Sequence, residues 1–139
     1  MNKILISALF LVSSALHASC GELEIKVVNN SAHNCTFKNK LMYYGVLPTS
    51  SIPATISVNE TTPSFFVNQD NVGAGVVLTY ACDNEVVKFY SYQEYCGFLS
   101  GAGTVGGQPM DPSSLNLEYQ TKMGSYLLGR PGQITWFIS

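Results

Sequence analysis

Apolar and polar residues alternate with a period of two along much of the chain, a pattern that predicts β-strands. In ELEIKVV, the Leu, Ile and Val side chains share one face and the Glu and Lys side chains share the other. In VVLTYAC, Val76, Leu78, Tyr80 and Cys82 likewise fall on one face. Each such segment therefore reads as a strand with one buried face.

Turns rich in Asn, Gly, Pro and Ser separate these segments, as in all-β domains. The predicted strands are 23–28, 36–44, 54–58, 64–67, 75–82, 86–92, 115–120 and 134–138, with 123–128 as a further candidate. The segments VVLTYAC and VVKFYSY, joined by DNE, predict a hairpin, and the first two strands are expected to form another. About eight short strands in one domain predict a single antiparallel β-sandwich of jelly-roll type, with a small barrel as the alternative.

The N-terminus predicts export. Lys3 precedes an apolar run over residues 4–12 and a stretch of small residues, the layout of a secretory signal peptide over residues 1–19. The run is shorter than the roughly 20 apolar residues that span a bilayer. His17 occupies the place where a lipoprotein signal needs an aliphatic residue, which disfavours a lipid anchor on Cys20. We therefore expect a secreted or periplasmic domain over residues 20–139.

The four cysteines are expected to form two disulfides, because exported proteins meet an oxidising environment. Pairs that are local in sequence would have to bridge the length of a strand, about 20 Å, whereas bridged Cα atoms lie about 6 Å apart. The non-local set Cys35–Cys82 with Cys20–Cys96 is favoured, and the crossed set stays open.

Charge excludes some partners. Seven Lys and Arg residues stand against nine Asp and Glu residues, and no basic cluster occurs. Nucleic-acid binding needs clustered cations and is disfavoured. A purely electrostatic attachment to anionic lipid is disfavoured for the same reason.

The segment GAGTVG, residues 101–106, matches the dinucleotide-binding pattern GxGxxG. That pattern requires a following helix, and the prolines of GQPMDP oppose one, so no cofactor is expected. Residues 97–114 are instead interpreted as a mobile Gly-rich loop. Long loops are often functional, which makes this one a candidate contact surface.

Catalytic chemistry has few candidates. His33 is the single histidine after the signal peptide and lies in a polar turn, without a GxSxG motif elsewhere. The cysteines lack the CxxC spacing of a zinc site, and no other metal-ligand cluster is evident. No catalytic residue and no metal are predicted.

The tyrosines are stronger candidates for a functional site than His33 or the cysteines. Tyr90, Tyr92 and Tyr95 follow one another in VVKFYSYQEYC, and Tyr43 and Tyr44 end another strand. Alternation sends Tyr90 and Tyr92 to the same face. An outward face would form an aromatic strip suited to a sugar ring, a lipid headgroup or a protein partner. An inward face, the more frequent arrangement, would fill the core.

The order of features resembles a known family layout. A strand ending in NNS, followed by YYG, PATI, FF and GVVLTY before a hairpin, resembles actinoporin- and aegerolysin-like β-sandwiches. It also looks like small cysteine-containing proteins that infecting Gram-negative bacteria export, some by type II secretion. The resemblance implies surface recognition, with Tyr90, Tyr92 and Tyr95 at a place comparable to the headgroup site of actinoporins. The chain has only Trp136 and no mature N-terminal helix, which argues against pore formation.

The leading hypothesis is a secreted, non-enzymatic binding protein or effector that recognises a lipid, a glycan or a host protein surface. One alternative is an extracellular hydrolase or hydrolase inhibitor using His33. Another is a structural periplasmic or envelope protein. Neither the ligand nor the oligomeric state follows from the sequence.

Overall fold

Nine β-strands make up the fold over residues 19–139, the part of the chain that the computed structural model describes. The strands are β1 (Glu22–Asn29), β2 (Cys35–Tyr44), β3 (Thr55–Ile56), β4 (Phe65–Asn68), β5 (Gly73–Cys82), β6 (Glu85–Glu94), β7 (Val105–Met110), β8 (Leu117–Lys122) and β9 (Gly132–Ile138). The predicted all-β sandwich is confirmed. The predicted signal peptide lies outside the described residues except for Ser19. Within residues 19–139, no helix is long and apolar enough to cross a bilayer.

The strands form two sheets, with orders β4-β1-β9-β8 and β3-β2-β5-β6-β7. All neighbouring strands are antiparallel except β1 and β9, which run parallel. The expected hairpin between the first two strands is wrong, because β1 and β2 belong to different sheets. The cause lies in the turn after β1, where the buried Asn29 side chain donates to the carbonyls of His33 and Ile56 and directs the chain across the sandwich.

The core fills the space between the sheets and includes the inward faces that alternation predicted for β1 and β5. Trp136 of β9 is fully buried, and its ring centroid lies 4.9 Å from that of Phe89 on β6. The Phe89 ring stacks in turn on Tyr80 of β5 at 6.2 Å. The Trp136 indole N–H donates to the buried Ser91 hydroxyl at 2.8 Å, which satisfies its polar atom. The hairpin through DNE is also confirmed, with Cys82 opposite Glu85.

The prediction of a Gly-rich loop over residues 97–114 is wrong for residues 105–110. Residues 105–110 form β7, which pairs with β6 along its length. A Cβ on Gly107 would lie 2.7 Å from atoms of Trp136 and Ile134, so only glycine lets this strand approach the core. The further candidate strand at 123–128 is also wrong, since those residues lie in the turn between β8 and β9.

Two disulfides join the pairs that the sequence favoured. Cys35 and Cys82 are register partners across β2 and β5, with Cα atoms 4.0 Å apart. Cys20 and Cys96 are joined with Cα atoms 5.8 Å apart. Two such bonds indicate an oxidising compartment, which is compatible with export.

The two disulfides lie at opposite ends of the sandwich. We call one end the polar end; it carries Cys35–Cys82 and the connections at 30–34, 57–60, 83–84 and 111–116. We call the other the apolar end; it carries Cys20–Cys96 and the connections at 45–48, 69–72, 95–104 and 123–131. The names refer to the exposed side chains at each end.

Candidate functional site

Four of the predicted tyrosines meet on the outer face of the five-stranded sheet. Tyr43 and Tyr44 end β2, and Tyr90 and Tyr92 lie on β6, separated from them by β5. The rings of Tyr43 and Tyr44 are exposed, whereas those of Tyr90 and Tyr92 are half-buried. The alternative in which Tyr90 and Tyr92 face inward and fill the core is therefore wrong. The intervening residues of β6 point into the core instead.

The rings form a continuous aromatic surface, which we call the tyrosine groove. Tyr43 meets Tyr90 edge to face with ring centroids 5.4 Å apart, and Tyr90 stacks with Tyr92 at 5.3 Å. Both separations are within the range of favourable aromatic pairs. Beside them is a shallow depression of about 300 Å³ lined by Tyr43, Tyr44, Tyr90, Gln108 and Met110.

Small residues on the neighbouring strands make room for the rings. Gly75 of β5 lies opposite both Tyr44 and Tyr92 in the strand register. A Cβ there would come 3.0 Å from the Tyr90 hydroxyl and 3.1 Å from the Tyr44 ring. A Cβ on Gly106 of β7 would lie 2.3 Å from Tyr92. The tyrosine rings therefore lie flat across the backbone rather than standing away from the sheet.

The protonation of Tyr90 is set by its surroundings in the groove. Burial raises the pKa of Tyr90, and the neighbouring hydroxyls of Tyr44, Tyr43 and Tyr92 raise it further. The phenol of Tyr90 thus stays protonated and can both donate and accept a hydrogen bond. Ring faces attract cations or stack on sugar rings, and the hydroxyls and Gln108 can bind polar oxygens. Such a surface fits a neutral or zwitterionic group with an apolar side.

Tyr95, the fifth predicted residue, lies outside the groove. It borders a depression at the apolar end together with Phe98, Leu99 and Ser100. Its ring packs so close to Gly97 that a Cβ there would lie 2.6 Å from it. The structure thus separates Tyr95 from the other four tyrosines and associates it with the β6–β7 connection.

Sequence reasoning missed a group of exposed apolar side chains at the apolar end. We call this group the apolar wedge; it consists of Phe98, Leu99, Tyr126, Leu127 and Leu128. The solvent-exposed fractions of Leu99 and Leu127 are 95% and 91%, and that of Phe98 is 79%. A signal was present, because both GFLSG and GSYLLG place adjacent apolar residues in short Gly-bounded turns.

His33 and the Gly-rich motif lie away from these surfaces. The His33 imidazole pairs with the Asp83 carboxylate at 2.6 Å on the polar end, where both side chains are exposed. The hydroxyl of Ser31, the hydroxyl-bearing residue nearest to it in the chain, bonds to the Asn29 side chain and to the backbone of His33 rather than to the imidazole. The GxGxxG segment leads into β7 rather than into a helix. Among residues 19–139, no group of three or more His, Cys, Asp or Glu side chains could hold a metal ion.

Comparison with known proteins supports the fold. No protein-family model matches the chain, and no curated protein sequence matches it significantly. Among solved structures, the lipid-binding protein Nakanori superposes with a TM-score of 0.62 and 12% identity, over 85% of this chain and 70% of that one. At this identity the likeness shows a shared sandwich fold. Membership of the actinoporin- or aegerolysin-like group remains a prediction.

Proposed function

We propose that this protein is a secreted, non-enzymatic binding protein that recognises a lipid surface through its tyrosine groove. The observation that carries the proposal is the clustering of four tyrosine rings on the outer face of the five-stranded sheet. Aromatic residues with an apolar ring and a polar tip are suited to the boundary between lipid headgroups and acyl chains.

The likeness in fold to a lipid-binding protein supports the choice of lipid over a glycan or a host protein. The position of the groove supports it too. Tyr44 is the last residue of β2 and Tyr92 lies two residues before the end of β6, so both are near the apolar end. Of the groove tyrosines, Tyr44 and Tyr92 would therefore be the first to reach a membrane approached by the apolar end.

Vesicle co-sedimentation tests the proposal. Mature protein is mixed with phosphatidylcholine vesicles, with and without sphingomyelin or phosphatidylserine, and compared with Tyr90→Ala/Tyr92→Ala. We expect the double variant to bind at least about tenfold more weakly, because buried aromatic contacts dominate binding surfaces. Tyr90→Phe/Tyr92→Phe separates the contribution of the rings from that of the hydroxyls.

Val86→Ala serves as a matched control, since Val86 is an exposed β6 residue near the polar end. Urea unfolding of each variant shows that binding is compared between folded proteins. Equal binding by wild type and Tyr90→Ala/Tyr92→Ala would remove the groove from the proposal. Absence of vesicle binding combined with specific retention on a glycan array would overturn lipid recognition.

A further inference from the structure

The apolar wedge is built from two turns of similar construction. In the β6–β7 connection, the amide of Gly97 donates to the carbonyl of Gly101 at 3.1 Å, and the amide of Gly101 donates back at 2.8 Å. In the β8–β9 connection, Ser125 and Arg130 exchange the same pair of hydrogen bonds at 2.9 and 3.0 Å. Each turn is therefore closed at its base by its own backbone.

The two turns meet at their tips. The Phe98 and Tyr126 rings pack edge to face with centroids 5.9 Å apart. Leu99, Leu127 and Leu128 project from this contact and are largely exposed to solvent. Contiguous apolar surface of this kind is uncommon on a soluble protein and marks an interaction site.

We propose that the apolar wedge inserts into the outer hydrocarbon boundary of a lipid bilayer, as a second contact distinct from the tyrosine groove. The proposal rests on the lipid-binding function proposed above and adds how the protein is held. Interfacial insertion of apolar side chains reaches roughly 5–10 Å into the boundary between headgroups and acyl chains. Side chains at the tips of closed turns are placed to reach that depth.

The backbone of the turns favours lipid over a protein partner. A bilayer interior offers no hydrogen-bonding groups, so any backbone that enters it must be satisfied internally. Besides the paired bases, the amide of Leu128 donates to the Ser125 hydroxyl at 3.2 Å, and that of Gly129 donates to the Tyr126 carbonyl at 3.3 Å. Four of the six amides of residues 125–130 are thus satisfied within the second turn, which carries its apolar side chains outward.

Charge at this end is also suited to a membrane. Lys122 and Arg130 flank the second turn and border a shared depression with Met123. Long cationic side chains at the edge of an inserted segment can reach lipid phosphates while their stems lie against apolar surface. Glu94 and Asp70 lie at the same end, so we expect moderate rather than absolute dependence on anionic lipid.

The first turn is held in place before any membrane contact. Cys96, next to Gly97, is bonded to Cys20. The side-chain amide of Gln69 also donates to the Cys96 carbonyl at 2.7 Å and accepts from its amide at 2.9 Å. A preorganised tip loses little conformational entropy on insertion, which favours binding.

Depth-dependent quenching tests insertion directly. Leu99→Trp and Leu127→Trp each add one indole at a tip, against the background of the fully buried Trp136. Vesicles containing lipids brominated on the acyl chain should quench both new indoles. Val86→Trp, near the polar end, is the matched control and should not be quenched. Intact vesicle binding without quenching at either tip would overturn the wedge and leave the proposed function standing, whereas absence of wild-type vesicle binding would overturn both.

Replacing the apolar side chains at the turn tips tests membrane insertion independently. Leu99→Ser/Leu127→Ser should weaken vesicle partitioning by about a hundredfold, roughly tenfold for each leucine withdrawn from hydrocarbon. Both positions are exposed, so the fold should be unaffected. Val58→Ser/Val86→Ser at the polar end should bind as wild type does. If the leucine variant bound vesicles equally but converted a dimer to a monomer in sedimentation equilibrium, the wedge would be a self-association surface and the proposal would be wrong.

Discussion

The two ends of the sandwich are built on the same strands but differ in what they expose. Fifteen large hydrophobic side chains are exposed among residues 19–139. Nine belong to the connections of the apolar end: Val46, Val72, Tyr95, Phe98, Leu99, Met123, Tyr126, Leu127 and Leu128. One, Val58, belongs to a connection of the polar end, and the other five lie on strands. The asymmetry therefore comes from the connections and not from the sheets.

The polar end shows what the fold requires of its turns. There, polar side chains bond to backbone groups; the Asn34 side-chain oxygen, for example, accepts from the Val58 amide at 3.0 Å, and the Glu60 carboxylate accepts from the Ser57 amide at 2.6 Å. Such turns close a sandwich without exposed leucine. The leucines at the apolar end are thus not needed to complete the fold, which strengthens their assignment to binding.

Removing each disulfide separately should have the largest effect on stability. It should also separate the contribution of each bond to stability from its contribution to membrane binding. The closed segments span 47 residues for Cys35–Cys82 and 76 for Cys20–Cys96. Loop-closure entropy then predicts a loss of about 4 kcal/mol in the free energy of unfolding for either bond. Urea unfolding of Cys35→Ala/Cys82→Ala and Cys20→Ala/Cys96→Ala measures these losses.

Only the second pair should lose membrane insertion at conditions where both variants are folded. Cys20–Cys96 fixes the base of the turn that carries Phe98 and Leu99, whereas Cys35–Cys82 lies at the far end. Near-ultraviolet circular dichroism confirms folding before vesicle binding is compared. Equal loss of vesicle binding by both variants would show that binding does not depend on the apolar end in particular.

The sequence predicted the sheets better than their connections. Alternation correctly indicated the buried faces of β1 and β5, because side-chain period depends only on local geometry. The strand β7 was missed because Gly106 and Gly107 read as a loop. In the structure both glycines receive aromatic rings, Tyr92 on one face and Trp136 on the other. The need for glycine at these two positions arises from tertiary packing, which a local sequence pattern does not encode.

The candidate site was predictable in part. Spacing placed Tyr90 and Tyr92 on one face, but which face depended on Phe89 filling the core, a fact of the whole fold. Tyr43 and Tyr44 joined them only because β2 and β6 flank β5 in one sheet. The wedge required the meeting of turns that contain Phe98 and Leu127, far apart in the chain. Such long-range juxtapositions follow from topology and not from any single segment.

Asn29→Ala should produce the next largest effect, confined to the polar end. Asn29 is fully buried and its amide donates to the carbonyls of His33 and Ile56, while its oxygen accepts from Ser31. Truncation leaves these buried groups without partners and should lower the free energy of unfolding by about 2–3 kcal/mol. Thermal and urea unfolding measure the loss. Vesicle binding by the folded variant should match wild type, and a weakened interaction would show that the ends are coupled.

Asp70 offers the smallest and most specific test, because it ties together connections at the apolar end. Its carboxylate accepts hydrogen bonds from the amides of Val72 at 2.7 Å, Gly73 at 3.1 Å and Gly45 at 3.0 Å. These bonds, that from Val72 most of all, lower the pKa of the exposed Asp70 carboxyl. The resulting stability is present above the unfolded pKa of about 3.9 and is lost as the pH falls through the lower folded value.

Asp70→Asn should therefore flatten the fall in unfolding free energy below about pH 4. At neutral pH it should weaken vesicle binding slightly, because the Asn side chain keeps one oxygen for Val72 and Gly73 but puts an NH2 group where the other oxygen accepts from Gly45. Glu85→Gln is the counterpart at the polar end, where hydrogen bonds from Ser114 lower the pKa of the Glu85 carboxyl. It should flatten the acid limb in the same way while leaving vesicle binding unchanged. Urea unfolding at several acid pH values measures the change in stability, and vesicle binding at neutral pH measures the effect on the apolar end. The assignment of membrane binding to the apolar end would be contradicted if Glu85→Gln weakened vesicle binding as much as Asp70→Asn does.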